Sequence, residues 1–496
     1  MNPKHTARRG SWRECVRSGR AARRWGFRFT AIVLGLSPLL VVEASLRYFN
    51  LPVPKSRVQT LAEATASRRL FVLNAERDRY EIATEHLNLF SPTSFPAEKP
   101  TNTKRIFVLG GSTVQGRPYA IQTAFSTWLE LLLNVADDSF GWEVVNCGGV
   151  SYASYRVAAL LPEVIEYEPD LIVVYTGHNE YLERVSVGEL QSLNRLQATL
   201  LSLAERLHVY QLARQSILGT PEPIDSNTKR LVGETVQALL DHQGGLEHYH
   251  RDVPSRPRTE ADFVANLESI IDYCRKQDVP LVLCCPARNV IDCPPFKSEV
   301  AADLEVAERL IFEGWMKASI DPEQSIPDRI EALRRAQQMD PLNPSVAYRL
   351  GRLLLEIGDR DAATTQLTLA VDADSCPLRI RSSMQQAIRE LADRHDVPLV
   401  DIDQQMCGVS PLGIVGDHLM VDHVHPTIAG HQMIASSLAV LLNDEGIVHL
   451  RARWRRLLPE VYAKHLATLD ETYYARGKQR LAGLRLWAAG RAGSLP

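Results

Sequence analysis

The chain has 496 residues, enough for more than one domain, and its 45% hydrophobic and 23% charged composition is typical of a globular protein. Its formal net charge of -3 is unevenly spread, because residues 1–28 carry nine Lys and Arg side chains against one acid, Glu14. That segment has a charge of +8 and the rest of the chain -11, which argues against a nucleic-acid partner for the protein as a whole.

An apolar segment follows the basic residues directly. Residues 29–49 read FTAIVLGLSPLLVVEASLRYF, close to the roughly 20 apolar residues that a membrane-spanning helix needs. Arginines before such a segment keep the N-terminus in the cytoplasm. We therefore predict a cytoplasmic segment at 1–28, a single-pass signal anchor at 29–49 and an extracytoplasmic (periplasmic) remainder. A cleaved signal peptide would give the same location, and a buried hydrophobic helix is the other alternative.

The cysteines predict no disulfide framework. Of the eight, Cys15 lies on the cytoplasmic side of the predicted anchor, which leaves seven in a compartment that permits disulfides and at least one of them unpaired. No pair has C-x-x-C spacing, and Cys284 and Cys285 lie in an apolar run typical of a core strand.

From about residue 104, short β-rich runs alternate with helical patterns. Such near-continuous apolar strands predict an α/β fold with a parallel sheet covered by helices on both faces. The predicted strands are 105–110, 142–146, 170–177, 279–285 and 397–403, and the predicted helices include 123–136, 155–167 and 427–443.

Two segments interrupt this alternation. Residues 186–260 are polar and predict a long surface excursion, and 300–375 predict a helical insertion. Within the latter, a hairpin at about 328–373 resembles a tetratricopeptide unit, with DPLNPSVAYRLG at 340–351 opening a helix and Ala336 and Ala370 34 residues apart. We interpret it as an insertion that shapes one side of a site, although recruitment of a protein partner is the alternative.

The C-terminal tail, 446–496, is basic and has helical apolar spacing. We expect a packed amphipathic helix, and the alternative is a helix lying on an anionic membrane surface.

The stretch MVDHVHPTIAGH, 420–431, concentrates three histidines and an aspartate. As a metal site, His423 and His425 would need two more ligands, for which Asp417, His418 and His431 are nearby, but no H-E-x-x-H pattern occurs. As a catalytic pair, Asp422 could accept the His425 Nδ1–H and leave Nε2 free as a base. We favour the pair and expect no metal.

A candidate nucleophile lies in VLGGSTVQG, 108–116. Ser112 follows the first predicted sheet strand at its carboxyl end, where ligands bind in open parallel sheets. The two glycines before it let the backbone approach closely, and the helix start after it aims N–H groups at a developing anion. A simple turn with a helix cap would look the same.

Two further stretches follow strands at the same predicted edge: VVNCGGVSYASYR (144–156) and VVYTGHNEYLE (173–183). Together with GGST and DHVHP, in this order, they resemble the four blocks of the SGNH hydrolases, or GDSL-type esterases. The resemblance covers roughly 104–185 and 261–445. It implies a three-layer α/β/α sandwich of SGNH/flavodoxin-like type over 104–445, with no cofactor.

The resemblance also implies roles for individual residues. Ser112 would be the nucleophile, His425 the base and Asp422 its orienting acid, with the Ser112 N–H and the Asn179 side chain as oxyanion donors. A third donor would be a backbone N–H of the second block. The family's glycine position holds Ser151 here, while Gly149 stands two residues earlier, so both are candidates.

The other polar residues of these blocks have less specific roles. His178 and Glu180 flank Asn179 and could touch substrate. We expect His423 to line the pocket or face away, and His431 to serve packing or lie at the surface.

These observations predict a membrane-anchored, extracytoplasmic serine ester hydrolase acting through an acyl-enzyme, with O-acyl groups of a glycan as a candidate substrate. An O-acetyltransferase would use the same residues, and a non-catalytic envelope scaffold or glycan-binding protein is the alternative from another class.

Overall fold

The computed structural model describes residues 69–182, 245–251 and 256–488. The predicted basic segment, the predicted anchor at 29–49 and most of the predicted excursion at 186–260 lie outside these residues. Within the described ranges, every helix is too short or too polar to cross a bilayer.

Eight strands in the described residues form two sheets. A small antiparallel sheet contains β1 (Phe71–Leu73), β2 (Arg79–Ile82) and β3 (Ser94–Pro96). The larger sheet contains β4 (Thr103–Gly110), β5 (Gly141–Gly148), β6 (Leu171–Tyr175), β7 (Leu281–Cys285) and β8 (Leu399–Asp401). All of its strand pairs are parallel, in the order β5-β4-β6-β7-β8. The predicted parallel sheet is therefore confirmed.

The strand order reverses at β4, which lies between β5 and β6. From β4 the chain continues to β5 at one edge of the sheet, and the next strand, β6, then pairs with the opposite side of β4. In doubly wound sheets a crevice opens at such a switch point, outside the carboxyl ends of the strands. The segments that follow β4 and β6 begin at this crevice, and they are the ones that carry Ser112 and Asn179.

The helices, in chain order, are α1 (Ser112–Gln115), α2 (Phe125–Ala136), α3 (Ser154–Ile165), α4 (Arg256–Lys276), α5 (Val306–Ala318), α6 (Ile326–Met339), α7 (Pro344–Glu356), α8 (Arg360–Asp372), α9 (Ser382–His395), α10 (Ile402–Val409), α11 (Ile428–Asp444), α12 (Leu458–Leu466) and α13 (Glu471–Ala488). Because α4 begins at Arg256, the predicted polar excursion ends about five residues before the expected position, 260.

Two apolar cores cover the two faces of the parallel sheet. Side chains alternate along a strand, so Phe107 and Leu109 of β4 face one core and Ile106 and Val108 face the other. The first core is completed by α3, α4 and α9, and the second by α2, α10, α11 and α12. The arrangement is a three-layer α/β/α sandwich, as predicted.

Residues 69–103 precede the predicted start of the domain, yet they pack on it. The Phe95 ring lies 5.0 Å from Phe71, 5.5 Å from Phe107 and 5.3 Å from Tyr167, measured between ring centroids. The folded unit therefore begins well before residue 104. Strands of three or four residues are too short to give a periodic signal in the sequence.

The insertion between β7 and α9 consists of α5 to α8 and has an apolar core of its own. It is tied to the loop after β7, because the Tyr348 hydroxyl and the Arg352 guanidinium both donate to the Ile291 carbonyl, at 3.0 and 2.8 Å. Three of its helices, α6, α7 and α8, span the predicted hairpin. Its likeness to a tetratricopeptide unit stays a prediction.

Seven cysteines lie in the described residues, and all are free thiols. Cys284 and Cys285 are buried on opposite faces of the sheet, as their place in an apolar strand predicts.

Candidate active site

Ser112 is the first residue of α1 and follows β4 by two residues. A Cβ at the intervening Gly111 would lie 2.5 Å from the Asn179 Nδ2 atom, so a larger residue there would displace the Asn179 side chain. The neighbouring Thr113 hydroxyl donates to the Val424 carbonyl at 3.3 Å, which ties this turn to the loop that carries the predicted base. The sharp turn from strand to helix thus presents the Ser112 hydroxyl at the sheet edge.

Ser112, His425 and Asp422 form one continuous chain of hydrogen bonds. The Ser112 Oγ lies 2.8 Å from His425 Nε2, and His425 Nδ1 lies 2.7 Å from Asp422 Oδ2. The other carboxylate oxygen of Asp422 accepts the backbone N–H groups of Val424 and His425, each at 2.9 Å. The structure therefore brings together the three residues predicted to act as nucleophile, base and orienting acid.

The protonation of this chain follows from its partners. Burial disfavours a charge on Asp422, but the imidazoles of His425 and His423 and the hydrogen bonds outweigh it and hold the pKa of Asp422 well below its usual range. A carboxylate can only accept, so His425 Nδ1 carries its proton and Nε2 is left as an acceptor for the Ser112 hydroxyl. The imidazole has the tautomer that a general base requires.

His423 lies beside this chain and lines the pocket, which is one of its two predicted positions. Its ring packs edge-on against Phe296, with centroids 5.1 Å apart, and its Nδ1 lies 3.6 Å from Asp422 Oδ1. Burial lowers the pKa of His423 to about 4. It is therefore neutral at neutral pH and adds no charge to the site.

The three residues predicted to supply oxyanion donors, Ser112, Ser151 and Asn179, line one pocket. The backbone N–H of Ser112 lies at the start of α1, and the Asn179 Nδ2 donates one proton to the Tyr152 carbonyl at 2.9 Å and keeps a second. Ser151 and Asn179 both line the pocket, and Ser151 has a left-handed backbone conformation with φ of 61°. That conformation favours glycine, which explains why a glycine would fit this position.

Gly149, the other candidate donor of the second block, does not reach the site. Its N–H donates to the Gly110 carbonyl at 3.0 Å, inside the fold, and it is absent from the pocket lining. Within the described part of the chain the Ser151 N–H makes no hydrogen bond, so it is the one of the two that is free to bind a ligand.

Ser112 lines a pocket of about 410 Å³. The C-terminal helix α13 supplies one wall through Arg480, Gly483, Leu484 and Trp487, which the sequence analysis did not single out. Their spacing of three and four residues marks one helix face, so the pattern was visible but could not show what that face covers. The remaining lining residues are Leu89, Arg117, Val150, Leu182, Leu378, Val424 and His425.

His178 and Glu180, which flank Asn179 in the third block, form hydrogen bonds within the fold and do not line this pocket. His178 is buried and its Nδ1 accepts the Ile380 N–H at 3.2 Å. Glu180 accepts the N–H and the hydroxyl of Ser154 at 2.8 and 2.7 Å, and burial raises the pKa of Glu180 to about 7. Neither is placed to touch a substrate at Ser112.

The side chains that a metal site would have needed point elsewhere. His418 Nε2 hydrogen-bonds the Ser410 hydroxyl at 2.8 Å, and His431 is buried against the Phe125 ring. Across the described residues no group of three or more His, Cys, Asp or Glu side chains is arranged to hold a metal ion.

The helical insertion also lies away from the pocket around Ser112. None of the pocket residues comes from 300–375. The interpretation that the insertion shapes one side of the site is therefore wrong for this pocket, because α13 and the loop at Leu378 form the walls instead.

No protein family model and no curated protein matches the chain. Solved structures to which the chain is similar include the acetylxylan esterase Axe2 from Geobacillus stearothermophilus, which is 14% identical over 71% of this chain and 97% of its own, with a TM-score of 0.31. The lipase/acylhydrolase from Enterococcus faecalis is 11% identical over 70% and 98%, with a TM-score of 0.31. LAE5, an alpha/beta hydrolase enzyme from the metagenome of Lake Arreo, is 14% identical over 68% and 95%, with a TM-score of 0.30. Likenesses this distant assign no chemistry to this chain, whose site has to be interpreted from its own side chains.

Proposed function

We propose that the protein is a serine ester hydrolase of the SGNH type that works through an acyl-enzyme. The observation that carries the proposal is the hydrogen-bonded chain from Ser112 Oγ to His425 Nε2 at 2.8 Å and from His425 Nδ1 to Asp422 Oδ2 at 2.7 Å, opening into a pocket. A serine, a neutral imidazole of the right tautomer and an ionised carboxylate are the parts of an activated nucleophile.

Acylation begins when Ser112 Oγ attacks the ester carbonyl and passes its proton to His425 Nε2. The imidazolium is stabilised by Asp422, which stays ionised. The negative charge on the carbonyl oxygen is bound by the N–H groups of Ser112, Ser151 and Asn179 Nδ2. Each such donor typically contributes about 3–4 kcal/mol to the stability of the transition state.

The acyl-enzyme forms when the tetrahedral intermediate collapses. The C–O bond to the alcohol breaks, and His425 gives its proton to the leaving oxygen. A water molecule then attacks the acyl carbon, with His425 Nε2 again taking the proton and returning it to Ser112 Oγ as the acid is released. If a sugar hydroxyl takes the place of water, the same residues transfer the acyl group to it, and the enzyme is an O-acyltransferase.

The substrate and location are further parts of the proposal. We propose an O-acyl group of a glycan, and a chain held in the membrane by residues 29–49 with the hydrolase domain outside the cytoplasm. The location is supported by the nine basic residues that precede the apolar segment. We also propose that the helical insertion, none of whose residues lines the pocket around Ser112, binds a protein partner.

The proposal is tested by pre-steady-state kinetics with para-nitrophenyl acetate on the full chain. We expect a burst of nitrophenol equal to the amount of protein, and labelling of Ser112 by a fluorophosphonate. The Ser112→Ala variant should lose both. A matched control is Ser383→Ala, which removes an exposed hydroxyl of α9 and should keep both.

Absence of both burst and label in correctly folded wild-type protein would contradict the hydrolase. The non-catalytic, glycan-binding scaffold would then be the better interpretation. Transfer to a sugar acceptor, measured by including an oligosaccharide in the assay, separates a transferase from a hydrolase.

A further inference from the structure

Two arginines line the pocket that contains Ser112, and none of the other lining residues is an acid. Arg117 follows α1 by two residues, and Arg480 lies on α13, more than 350 positions later in the chain. Among the described residues, the carboxylate that is hydrogen-bonded to the catalytic histidine, Asp422, is buried behind His425. The charged side chains that the described residues present to the open part of the pocket are therefore both cations.

Arg117 is held through its Nε atom, which leaves the two Nη atoms of its guanidinium available to bind a ligand. Its Nε donates to Gln115 Oε1 at 2.9 Å, and Gln115 is itself fixed because its Nε2 donates to the Leu89 carbonyl at 2.7 Å. Among the described residues, no carboxylate forms an ion pair with Arg117. Burial, together with the nearby charge of Arg480, lowers the pKa of Arg117.

Arg480 is held in place by the packing of α13. Its Nη1 donates to the Tyr119 carbonyl at 2.5 Å. The helix is anchored on the same segment, since the Tyr473 hydroxyl lies 2.8 Å from the Thr123 hydroxyl and its ring stacks on Tyr119 at 6.0 Å between centroids. Gly477 permits this contact, because a Cβ there would lie 2.2 Å from Tyr119 Cδ1.

The two guanidinium groups thus face one pocket without a neutralising acid among the described residues. Like charges held near each other in a partly buried site disfavour the empty state and favour a bound anion. The planar guanidinium matches the oxygens of a carboxylate or a phosphate, to which it can donate two parallel hydrogen bonds.

We propose that this pocket binds an anionic group of the ester substrate, a carboxylate or a phosphate, between Arg117 and Arg480. The inference rests on the proposed ester hydrolysis at Ser112 and narrows its substrate class to acylated acidic molecules, such as an acylated uronic-acid glycan. Arg117 and Arg480 are the residues that select this substrate.

The test compares kcat/KM for esters that differ only in charge. On the alcohol side, meta-carboxyphenyl acetate and meta-acetoxyphenyl phosphate are compared with neutral meta-carbamoylphenyl acetate. On the acyl side, para-nitrophenyl hydrogen succinate is compared with para-nitrophenyl succinamate. The proteins are the wild type, Arg117→Gln, Arg480→Gln and, as a matched control, Lys478→Gln, which removes an equal charge from α13 but does not line the pocket.

We expect the wild type to have a higher kcat/KM for the anionic ester than for the neutral one in at least one comparison. Each arginine variant should lower this kcat/KM ratio roughly tenfold or more. Lys478→Gln should leave it unchanged. Raising the salt concentration should weaken it, because Arg480 is exposed and ions screen its charge. A response to the phosphate ester alone, or to a carboxylate alone, identifies which anion the pocket accepts.

If the neutral esters are hydrolysed and neither arginine variant changes the kcat/KM ratio of anionic to neutral ester, the anion site is refuted. The proposed ester hydrolysis at Ser112 would still stand. Absence of turnover on every ester would instead contradict the hydrolase. The anion site is then decided by calorimetry with a short oligouronate and its carboxyl-reduced neutral counterpart. Binding of the acidic sugar alone, weakened by Arg480→Gln, supports the site, and equal or no binding of the two sugars refutes it.

Discussion

Replacing Asp422 by asparagine should prevent His425 from acting as a base without unfolding the protein. Asp422 Oδ1 accepts two backbone N–H groups, from Val424 and His425, so the amide oxygen of an asparagine has to take that position. Its NH₂ group is then forced to face His425 Nδ1, 2.7 Å away in the wild type. A donor at that place requires a bare Nδ1, so the proton moves to Nε2 and the imidazole can no longer accept the proton of Ser112.

The size of the effect follows from this change of tautomer. Where an asparagine forces the wrong tautomer on a catalytic histidine, kcat falls by about four orders of magnitude, which corresponds to about 5.5 kcal/mol in the activation free energy. The fold should survive, because the asparagine keeps the two backbone hydrogen bonds and removes a buried charge.

The assay is the rate constant of the nitrophenol burst from para-nitrophenyl acetate, with the rate of fluorophosphonate labelling as a second measure of the nucleophile. A matched control is Asp417→Asn, an exposed carboxylate five residues away that accepts from Asn289 Nδ2 at 2.8 Å and does not contact His425. It should acylate at the wild-type rate. If Asp422→Asn acylates within tenfold of wild type while keeping its melting temperature, the assignment of His425 as the base through this tautomer is wrong.

Three further predictions concern the groups around the triad. Asn179→Ala should lower kcat by about 10²–10³ with little change in KM, since it removes one oxyanion donor; steady-state kinetics check it, and an equal rise in KM would instead indicate lost substrate binding. In the wild type, the free energy of unfolding should fall as the pH rises from about 4.5 to about 7, and Glu180→Gln should abolish this fall. The Glu180 carboxyl keeps its proton up to about pH 7 in the folded protein but loses it near pH 4.5 in the unfolded chain. Its ionisation therefore destabilises the folded protein by up to about 3 kcal/mol. Urea unfolding across that range checks it, and parallel curves for the two proteins would refute it. Gly477→Ala should displace α13 from Tyr119 and raise KM more than it lowers kcat, measurable with any ester that wild type accepts.

The positions of the parallel strands along the chain and the residues that follow them could be predicted because both leave local signals. Buried parallel strands are short apolar runs, and glycines with small polar residues mark their carboxyl ends. The signal was least accurate at the last strand, expected over 397–403 but observed only at Leu399–Asp401. Asp401 accepts the Gln404 N–H at 3.0 Å and so caps α10, which begins at Ile402 and ends the strand.

Other features depend on backbone direction and distant contacts, which the sequence does not record. The choice between Gly149 and Ser151 as donor is decided by where each N–H points, and the positive φ of Ser151 was not evident from its residue type. The basic composition and helical apolar spacing of the tail 446–496 predicted a packed helix, but only the fold shows that α13 forms a wall of the pocket.

The pocket is therefore built from two parts of the chain with different tasks. The segments that follow β4, β5 and β6 supply the hydroxyl and the N–H groups, and the loop between α10 and α11 supplies the imidazole. Another wall comes from α13, whose Tyr473 ring stacks on Tyr119 and whose residues belong to none of the sheet strands. Substitutions on α13 should accordingly alter which esters are accepted, while substitutions at the strand ends should alter the rate on all of them. The two kinds of variant can be told apart by comparing kcat/KM ratios across substrates with absolute burst rates on one substrate.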